Sequence, residues 1–406
     1  MVRVSISGWY GHGNVGDEAI LEGILKTLSD ISMDIVVTVF SDNPQHTRRL
    51  HRVKSVNQNS TLRQPTEIAR GLWTYWSTDL FILGGGGFLS DWQYPSVPKL
   101  WLRRAWRAKM LGRKTMAYGI GAGPITTTEG CHWTQSMMSK LDLVTVRDDA
   151  SKEWLRRAGV KSPIYVTGDP ALRLRLPNNA ETTKLLRTHA SEMEKPIVAI
   201  SLAPWFHIDR LFEGAKSRYR RLVNDAASVM RYMRTRLDLS ILMIPMHQRI
   251  DIPFNREVIR ASGIRDGIRV VGEQLTPSEV VGLYRGTEFL ITNRLHSVIL
   301  ASLCGIPSIG VVIHHKTRSF LESLGLEELS VPLGDGRLEE NVDLDVGRIK
   351  SSIGYVIENK EELRAQILSR LETLRQRERL NARLCTYLLR DELELAKEIK
   401  NEFTRH

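Results

Sequence analysis

Cysteine is scarce in this sequence of 406 residues, and its three cysteines lie far apart. They are Cys131, Cys304 and Cys385, and no C-x-x-C pair occurs. This spacing argues against a framework of disulfide bonds and against a cysteine-based zinc site. It is typical of a protein from a reducing compartment.

Long apolar runs are also missing, since no stretch approaches the roughly 18 residues that span a bilayer. The first residues, MVRVSISGWYGHGN, lead straight into a strand pattern and a glycine-rich turn. They lack the charged-then-apolar arrangement of a signal peptide. We therefore expect a cytoplasmic protein, and a peripheral position at the inner face of the membrane stays open.

Acidic residues are outnumbered, because 57 Lys and Arg stand against 46 Asp and Glu, a formal net charge of +11. A basic balance suits anionic partners. Much of the excess lies in helix-like runs at residues 101–114 and 216–236. These runs are either solvated helix faces or contacts for anionic lipid head groups or a lipid-linked phosphate. RNP, zinc-finger and helix-turn-helix signatures are absent, so we expect no nucleic-acid partner.

Strand, turn and helix patterns alternate along most of the chain, which predicts mostly parallel α/β sheets. Nearly every predicted strand ends in glycine or a charged pair, so a ligand is expected near the backbone at the carboxyl ends of the strands. The length favours two domains. The expected fold class is α/β, with two Rossmann-like domains facing each other across a cleft (glycosyltransferase-B-like) and a helical C-terminal segment.

The domain boundaries follow from shifts in pattern. We predict a first Rossmann-like domain at residues 1–175, a linker at 176–195, a second Rossmann-like domain at 196–345 and C-terminal helices at 346–406. Residues 41–78 are mixed and polar, and their pattern assigns no clear element. The long charged helix near the end carries an apolar stripe and is expected to pack on a domain rather than form a coiled coil.

One stretch, residues 291–312 (ITNRLHSVILASLCGIPSIGVV), predicts a buried strand end, a turn, a helix and a second buried strand. The turn carries Arg294 and His296. Turns at the carboxyl edge of a parallel sheet are where open α/β folds bind ligands. There, Arg294 and His296 can offer a fixed cation and a titratable proton carrier to one ligand. The alternative is that both residues only cap or pair locally.

A glycine-rich loop at residues 8–18, GWYGHGNVGDE, follows the first predicted strand. Its spacing is not that of the dinucleotide fingerprint G-x-G-x-x-G. The turn opens a helix whose backbone amides can hold an anion, which makes Asn14 and Gly16 candidate substrate-binding residues. Asn14 and Asp17 alternatively cap the helix. In the functional interpretation, Asp17 faces the cleft and binds sugar hydroxyls or acts as a base.

A run of four glycines, residues 84–87, follows another buried strand. Four glycines cost more conformational entropy than a simple turn requires. We therefore expect Gly85 and Gly86 to mark a close approach of the backbone to a ligand or to the first glycine loop.

Charged or titratable residues follow three further predicted strands. Arg147 with Asp148 forms either an ion pair between loops or part of a ligand site. His247 at the end of a strand is a candidate for the cleft. His314 and His315 have no suitably spaced acidic partner, so no metal site is expected. Lys316 is interpreted as a contact for phosphate or carboxylate.

Taken in order, these motifs resemble those of the polysaccharide pyruvyl transferase family. The family's G-N-x-G-D-E loop stands at residues 13–18, its glycine-rich second loop at 84–87, its V-R-D-x-x-S segment at 146–151 and its R-L-H-x-x-x-x-A-x-x-x-G-x-P block at 294–307. Each motif alone is weak, and the ordered set is specific. The departure is His314-His315-Lys316, where members often have Asp-Pro-Lys, so only the lysine carries over.

The resemblance implies a glycosyltransferase-B-like fold and phosphoenolpyruvate as co-substrate, with no further cofactor. It implies a saccharide or lipid-linked glycan as acceptor, a pyruvate ketal as product and a place in cell-surface polysaccharide biosynthesis. The donor would bind residues 196–345, with Arg294 and His296 in its site, and the acceptor residues 1–175.

The chemistry of phosphoenolpyruvate suits these residues. His296 can protonate the methylene carbon, and Arg294 can bind carboxylate or phosphate with two parallel hydrogen bonds. Lys316 and Arg147 would add positive potential, and Asp17 would serve as the acceptor's base or ligand. This scheme requires no metal.

Two other functions compete with pyruvyl transfer. The first is a glycosyltransferase that uses a nucleotide sugar, although the sequence has no late E-x-x-x-x-E-like pattern for binding ribose. The second is a non-enzymatic scaffold that binds saccharide or membrane, against which the polar residues at strand ends argue.

Overall fold

The computed structural model describes residues 1–59, 64–92, 94–194, 196–204, 215–313, 315–333 and 344–390. The chain forms two compact units. Unit 1 contains Met1–Leu174 together with the chain from Thr373 onward, and unit 2 contains Arg175–Glu372. No helix among the described residues is both long enough and apolar enough to cross a membrane.

Unit 1 is built on an eight-stranded parallel sheet with the order β3-β2-β1-β4-β6-β7-β8, and β5 also pairs with β6. Its strands are β1 Val2–Ser7, β2 Ile35–Ser41, β3 Lys54–Asn57, β4 Leu80–Leu83, β5 Gly86–Leu89, β6 Lys114–Ala122, β7 Leu143–Val146 and β8 Tyr165–Val166. The central strand β4 reads LFIL and is buried at all four positions. Such continuous apolar strands are what a parallel sheet covered on both faces requires.

Six α-helices lie between these strands in the part of the chain that the structure describes. They are α1 Val15–Asp30, α2 Pro44–His51, α3 Pro65–Ser77, α4 Val97–Met110, α5 Thr128–Met138 and α6 Asp149–Arg157. Local sequence fixes several of their first turns, since Asn14, Asn43, Thr127 and Asp148 each accept a backbone N–H as the N-cap of the following helix.

Unit 2 contains a six-stranded parallel sheet with the order β11-β10-β9-β12-β13-β14. Its strands are β9 Ile197–Ser201, β10 Ser240–Met243, β11 Ile268–Val270, β12 Leu290–Thr292, β13 Ser308–Val312 and β14 Ser330–Pro332. Its helices are α7 Asn179–Ala190, α8 Ala215–Arg236, α9 Gln248–Ser262, α10 Pro277–Arg285, α11 Leu295–Ser302 and α12 His315–Ser323. Capping boxes at Asn178 and Thr276 start α7 and α10.

The last described element is α13, Val346–Arg390, which has a non-helical residue at Asn359 and contributes to both units. Its predicted apolar stripe is buried at Leu363, Ile367 and Leu371. The helix therefore packs on the globular part of the chain, as expected. The predicted C-terminal helices extend to residue 406, and 391–406 lie outside the described residues.

The predicted α/β class with parallel sheets in two units is confirmed. Two strands extend into glycine-rich sequence. The second half of the tetraglycine run belongs to strand β5. The sequence pattern predicts a strand at residues 114–118, and its predicted end was wrong, because β6 continues through GIGA to Ala122 and pairs with β5 and β7. In the stretch without a clear pattern, the structure contains α2, β3 and α3.

Candidate functional site

The strand order of unit 2 reverses between β9 and β12. From β9 the sheet extends through β10 to β11 on one side and through β12 to β14 on the other. Reversal points of this kind leave a crevice at the carboxyl ends of the strands, which is the usual ligand site of open α/β sheets. Arg294 lies two residues after the end of β12 and is the N-cap residue of α11.

Side-chain hydrogen bonds fix the backbone at this reversal point. The side-chain amide of Asn293 donates to the carbonyl of Ala203 and accepts from its N–H, both at 2.9 Å. Thr292 Oγ1 donates to the carbonyl of Ser201 at 2.7 Å, and the hydroxyls of Ser201 and Ser297 are 3.0 Å apart. Together these bonds tie the end of β9 to the β12–α11 turn, so the turn presents its side chains in a defined position.

A buried carboxylate orients Arg294. Asp251, in the first turn of α9, accepts the backbone N–H groups of Met246 and His247, each at 2.9 Å. Its other carboxylate oxygen is ion-paired with Arg294. The side chain of Asp251 is 1% exposed and that of Arg294 is 21% exposed. Arg294 is therefore held in place by Asp251, and part of its side chain stays exposed to solvent.

His247 lies next to this ion pair and is the N-cap residue of α9. Burial lowers the pKa of His247, and the positive charge of Arg294 lowers it further. Its Nδ1 is buried and has no hydrogen-bond partner within the described part of the chain. His247 is thus a neutral imidazole at neutral pH, with one ring nitrogen that can take a proton or a hydrogen bond.

His296 and Lys316 begin neighbouring helices. His296 is half-buried in the first turn of α11, and Lys316 is in the first turn of α12, which follows β13. Strands β12 and β13 pair in parallel, so both helices start at the same edge of the sheet. The structure therefore places His247, Arg294, His296 and Lys316 after three strands of one sheet edge. The neighbouring His314 lies outside the described residues.

Unit 1 has a reversal point of its own, between β1 and β4. These strands pair in register up to Ser7 and Leu83, and Gly84 N–H donates to the Ser7 carbonyl at 2.8 Å. The two glycine-rich segments therefore leave the sheet side by side. Their proximity was one of the two expectations for the tetraglycine run.

Asn14, Gly16 and Asp17 lie in or beside the first turn of α1. Asn14 Oδ1 accepts from Gly16 N at 3.0 Å, so Asn14 acts as the N-cap. A Cβ at Gly86, whose φ is +129°, would lie 3.4 Å from the carboxylate of Asp17. The structure thus brings Asp17 and Gly86 together at the reversal point.

The tight spacing at the other glycines is explained by the protein itself. A Cβ at Gly84 would lie 2.0 Å from the Tyr10 hydroxyl, and one at Gly85 would lie 3.3 Å from the carbonyl of Gly119. The Tyr10 side chain is fully buried between Gly8 and Gly84. Gly84 thus lies close to Tyr10, and Gly85 lies close to Ile20, Pro170 and β6.

Arg147 is buried at the end of β7, with a side-chain exposure of 4%. Its guanidinium contacts Asp169 at 3.1 Å and Asp148 at 3.2 Å. It also lies against Gly121, where an added Cβ would come within 2.7 Å of it. These contacts are those of the ion-pair interpretation, and the role of Arg147 as a ligand contact stays a prediction.

Sequence reasoning missed two charged residues at these sheet edges. Asp251 is not among the predicted site residues, although its position four residues after His247, at the start of a helix, is a signal that could have found it. Arg104 looked like one cation in a basic run, yet it is buried, hydrogen-bonds Gln58 at 2.9 Å and stacks 4.4 Å from the Trp101 ring. Burial lowers the pKa of Arg104 to about 10.

Comparison with solved structures identifies the fold. HepE from Anabaena, in complex with UDP and glucose, has a TM-score of 0.60 and 13% identity and covers 97% of this chain and 100% of that chain. A glycosyltransferase from Rickettsia africae has a TM-score of 0.58 and 16% identity over 98% of both chains. UDP-GlcNAc 2-epimerase from Methanocaldococcus jannaschii has a TM-score of 0.55 and 12% identity, covering 87% and 92%. The expected glycosyltransferase-B-like fold is confirmed.

Sequence comparison gives a family. A curated relative, the amylovoran biosynthesis protein AmsJ of Erwinia amylovora, is 20% identical over 302 residues, which are 72% of this chain and 69% of AmsJ. The sequence model described as "Polysaccharide pyruvyl transferase" matches residues 14–315, a range that contains Arg294, His296, the tetraglycine run and the end of the first glycine-rich loop from Asn14 onward. The chain belongs to the polysaccharide pyruvyl transferase family and is a transferase.

Proposed function

We propose that this transferase moves the enolpyruvyl group of phosphoenolpyruvate onto a saccharide and releases phosphate, forming a pyruvate ketal. The observation that carries the proposal is the arrangement at the β9/β12 reversal point. There a buried carboxylate orients Arg294, and His296 begins the helix that Arg294 caps. Membership of the family supports the same reaction.

The donor carries a carboxylate and a phosphate, and the site offers groups that bind anions. Arg294 has N–H groups beyond the one paired with Asp251, and its Nε is buried with no acceptor among the described residues. The amino end of α11 adds the positive end of a helix dipole. Lys316 is proposed as a further cation for the phosphate.

In the proposed reaction, His296 donates a proton to the methylene carbon of phosphoenolpyruvate. A cation then develops at C2, and a saccharide hydroxyl attacks it and loses its proton to a base. A second hydroxyl displaces phosphate, which leaves with the second hydroxyl's proton. The sum is one phosphoenolpyruvate and two hydroxyls converted to one ketal and one phosphate. No additional cofactor is proposed.

The acceptor is proposed to bind unit 1. Asp17 would act as the base or as a hydroxyl ligand, with Asn14, Gly16, Gly85 and Gly86 forming the backbone around it. The similarity to a protein of amylovoran biosynthesis supports a saccharide acceptor in polysaccharide biosynthesis. A lipid-linked glycan of the cell envelope is the proposed form of this acceptor.

The test is release of phosphate from phosphoenolpyruvate by the purified full chain, with and without candidate glycans. Phosphate release that depends on a saccharide, with a mass gain in that saccharide that fits a pyruvate ketal, is the expected result. Phosphate release that never depends on any saccharide in a broad panel would count against the proposal.

A second candidate is a glycosyltransferase that uses a nucleotide sugar. It is favoured by the similarity to HepE, whose structure contains UDP and glucose. Thermal stability separates the two, because a ligand at 100 times its Kd stabilises by about 2.7 kcal/mol. Phosphoenolpyruvate is expected to raise the Tm and UDP to leave it unchanged; the reverse pattern would favour the second candidate.

The proposed location is the cytoplasm, with peripheral contact at the anionic inner face of the membrane. The net charge of +11 supports an anionic surface as partner.

A further inference from the structure

Helix α3 turns its apolar side toward solvent. Ala69, Leu72, Trp73 and Trp76 are all exposed and stand at i, i+3, i+4 and i+7, which is one face of a helix. Leu72 is 64% exposed, Trp73 62% and Trp76 55%. The rings of the two tryptophans are 5.0 Å apart. A helix that packs on a sheet normally exposes its polar face. An exposed apolar stripe of this kind is typical of a surface that binds a partner.

A cavity of about 380 Å³ opens beside this stripe, between α3 and strands β1, β2 and β3. Trp73 lines it together with Arg3, Lys54 and Arg70, and Thr74 and Ser77 also line it. No acidic side chain lines the cavity, and in the described chain neither Arg3 nor Lys54 pairs with a carboxylate through its side chain. Only Arg70 is paired, with Glu67. The cavity suits a phosphate.

Further cations flank the stripe on the side of α4. Arg103 and Arg107 are exposed on α4, which packs against α3. Burial raises the pKa of the Tyr75 phenol on α3, and the guanidinium groups of Arg107, Arg104 and Arg103 oppose that rise. These arginines therefore lie near α3. Apolar and aromatic side chains are thus bordered on both sides by positive charge.

This region is remote from the glycine-rich loops. Asp79, just before β4, donates its N–H to the carbonyl of Arg3 at 2.8 Å, so the C-terminal end of α3 lies at the amino ends of β1 and β4. Both glycine-rich segments follow the carboxyl ends of the same strands. The cavity is therefore not part of the candidate site in unit 1.

We propose that this surface, formed by Leu72, Trp73, Trp76 and the cavity with Arg3 and Lys54, binds an anionic phospholipid membrane. Trp73 and Trp76 enter the head-group layer, and a lipid phosphate occupies the cavity. The proposal deepens the peripheral location proposed above and does not depend on the donor or the reaction.

Two features favour a membrane over a protein partner. Tryptophan is the side chain that prefers the membrane–water interface, since its ring is apolar and its N–H can meet water. Among the cations beside it, Arg3 and Lys54 make no side-chain ion pair in the described chain, which matches a surface of one sign such as an anionic leaflet. An amphipathic helix lying in the interface combines the same features.

Vesicle flotation of the full chain tests the proposal, with vesicles of phosphatidylcholine alone and of phosphatidylcholine with phosphatidylglycerol. We expect binding to the anionic vesicles that weakens with salt. Trp73→Ala with Trp76→Ala should weaken it at least about tenfold, and Lys54→Glu at least about fivefold. Tyr355→Ala and Lys184→Glu, which change exposed residues of unit 2, are the matched controls and should bind like the wild-type chain.

Three results would overturn the proposal. They are no binding by the wild-type chain, equal binding by the double tryptophan variant, or self-association that the same substitutions abolish without any vesicle binding. Stabilisation by inorganic phosphate that Lys54→Glu removes, without vesicle binding, would likewise assign the cavity to a free anion. Phosphate release in the presence of a saccharide acceptor is measured in parallel on each variant. A variant that loses vesicle binding and keeps its turnover shows that the substitution affects membrane binding and not the proposed reaction.

Discussion

The carboxylate of Asp251 pairs with the guanidinium of Arg294, which lies 43 residues further along the chain. The same carboxylate accepts two backbone N–H groups from the β10–α9 turn. Two turns of one sheet edge are therefore held by a single buried side chain. Arg294 is the residue proposed to bind the anionic groups of the donor. Its position therefore depends on Asp251, which has no proposed contact with the substrate.

Asp251→Asn should reduce both stability and turnover. The amide cannot neutralise Arg294, and breaking a buried ion pair costs about 3 kcal/mol. We expect a decrease of this order in the free energy of unfolding by denaturant, and a KM for phosphoenolpyruvate that rises more than kcat falls. Asp238→Asn, at an exposed carboxylate, is the control. Unchanged stability and KM in Asp251→Asn would show that Arg294 is positioned without it.

His296→Ala should lower phosphate release by about 10²- to 10⁴-fold if His296 is the general acid. The circular dichroism spectrum and the Tm should stay close to those of the wild-type chain, because the side chain is only half-buried. His132→Ala removes an exposed histidine of α5 and should leave turnover unchanged. An active His296→Ala protein would remove the role assigned to this residue.

His247 should titrate below the usual range of histidine. Burial lowers its pKa and the charge of Arg294 adds to this, so Arg294→Gln should raise the pKa of His247. A folded-state pKa below the unfolded value of 6.5 means that the unfolded state takes up the proton first. Stability from this group is thus present above about pH 6.5 and is lost as pH falls through the folded pKa. NMR titration of the ring and unfolding at several pH values measure both effects; a pKa at or above 6.5 would contradict them.

The stability contributed by Glu378 should depend on pH in the opposite direction. Burial raises its pKa to about 8, and the nearby Arg173 opposes the rise. The native state therefore holds the proton of Glu378 more tightly than the unfolded state does. The stability that this group contributes is fully present below the unfolded pKa of about 4.5 and is lost as pH rises toward 8. Glu378→Gln should flatten the pH profile in this window and stabilise the protein at pH 8 by about 2 kcal/mol. Destabilisation at pH 8 would mean that the ion pair with Arg173 dominates.

Gly84→Ala should destabilise unit 1 by about 1–3 kcal/mol, because its Cβ would lie 2.0 Å from the Tyr10 hydroxyl. Tyr10→Phe in the same protein should restore part of the loss, since it removes the clashing oxygen. Gly71→Ala is the matched control, with no atom within 4 Å of its Cβ, and should stabilise α3 by about 0.5–1 kcal/mol. Equal effects at both glycines would show that the loop adjusts freely.

The sequence predicted those elements whose pattern is local. Strand β13 is the second buried strand predicted within residues 291–312, because SIGVV is a fully buried apolar run between turn signals. Residues 41–78 could not be assigned, because α3 has buried Thr74 and exposed Trp73, the reverse of an ordinary amphipathic pattern. The extension of β6 through two glycines depends on pairing with β5 and β7, which no local propensity encodes.

The candidate site was predictable where it depends on strand order alone. Arg294, His296 and Lys316 follow strands that pair in one sheet, so their shared edge could be read from the chain. The partner of Arg294 could not, since the contact to Asp251 joins two turns that are distant in sequence. Likewise, Arg104 is buried by the loops that pack around β1. The basic sequence of its own helix gives no indication of this burial.

Unit 1 is discontinuous in sequence, and this has a consequence for synthesis of the protein. The segment from Thr373 includes Glu378, whose carboxyl oxygen Oε1 accepts from the Tyr118 hydroxyl at 3.2 Å, and Asn381, which accepts from Thr145 at 2.8 Å. The ribosome makes this segment after all of unit 2. Unit 2 can therefore complete its sheet while the chain is still being synthesised. Unit 1 begins first, but its polar groups at Tyr118 and Thr145 gain these partners only after α13 has been made.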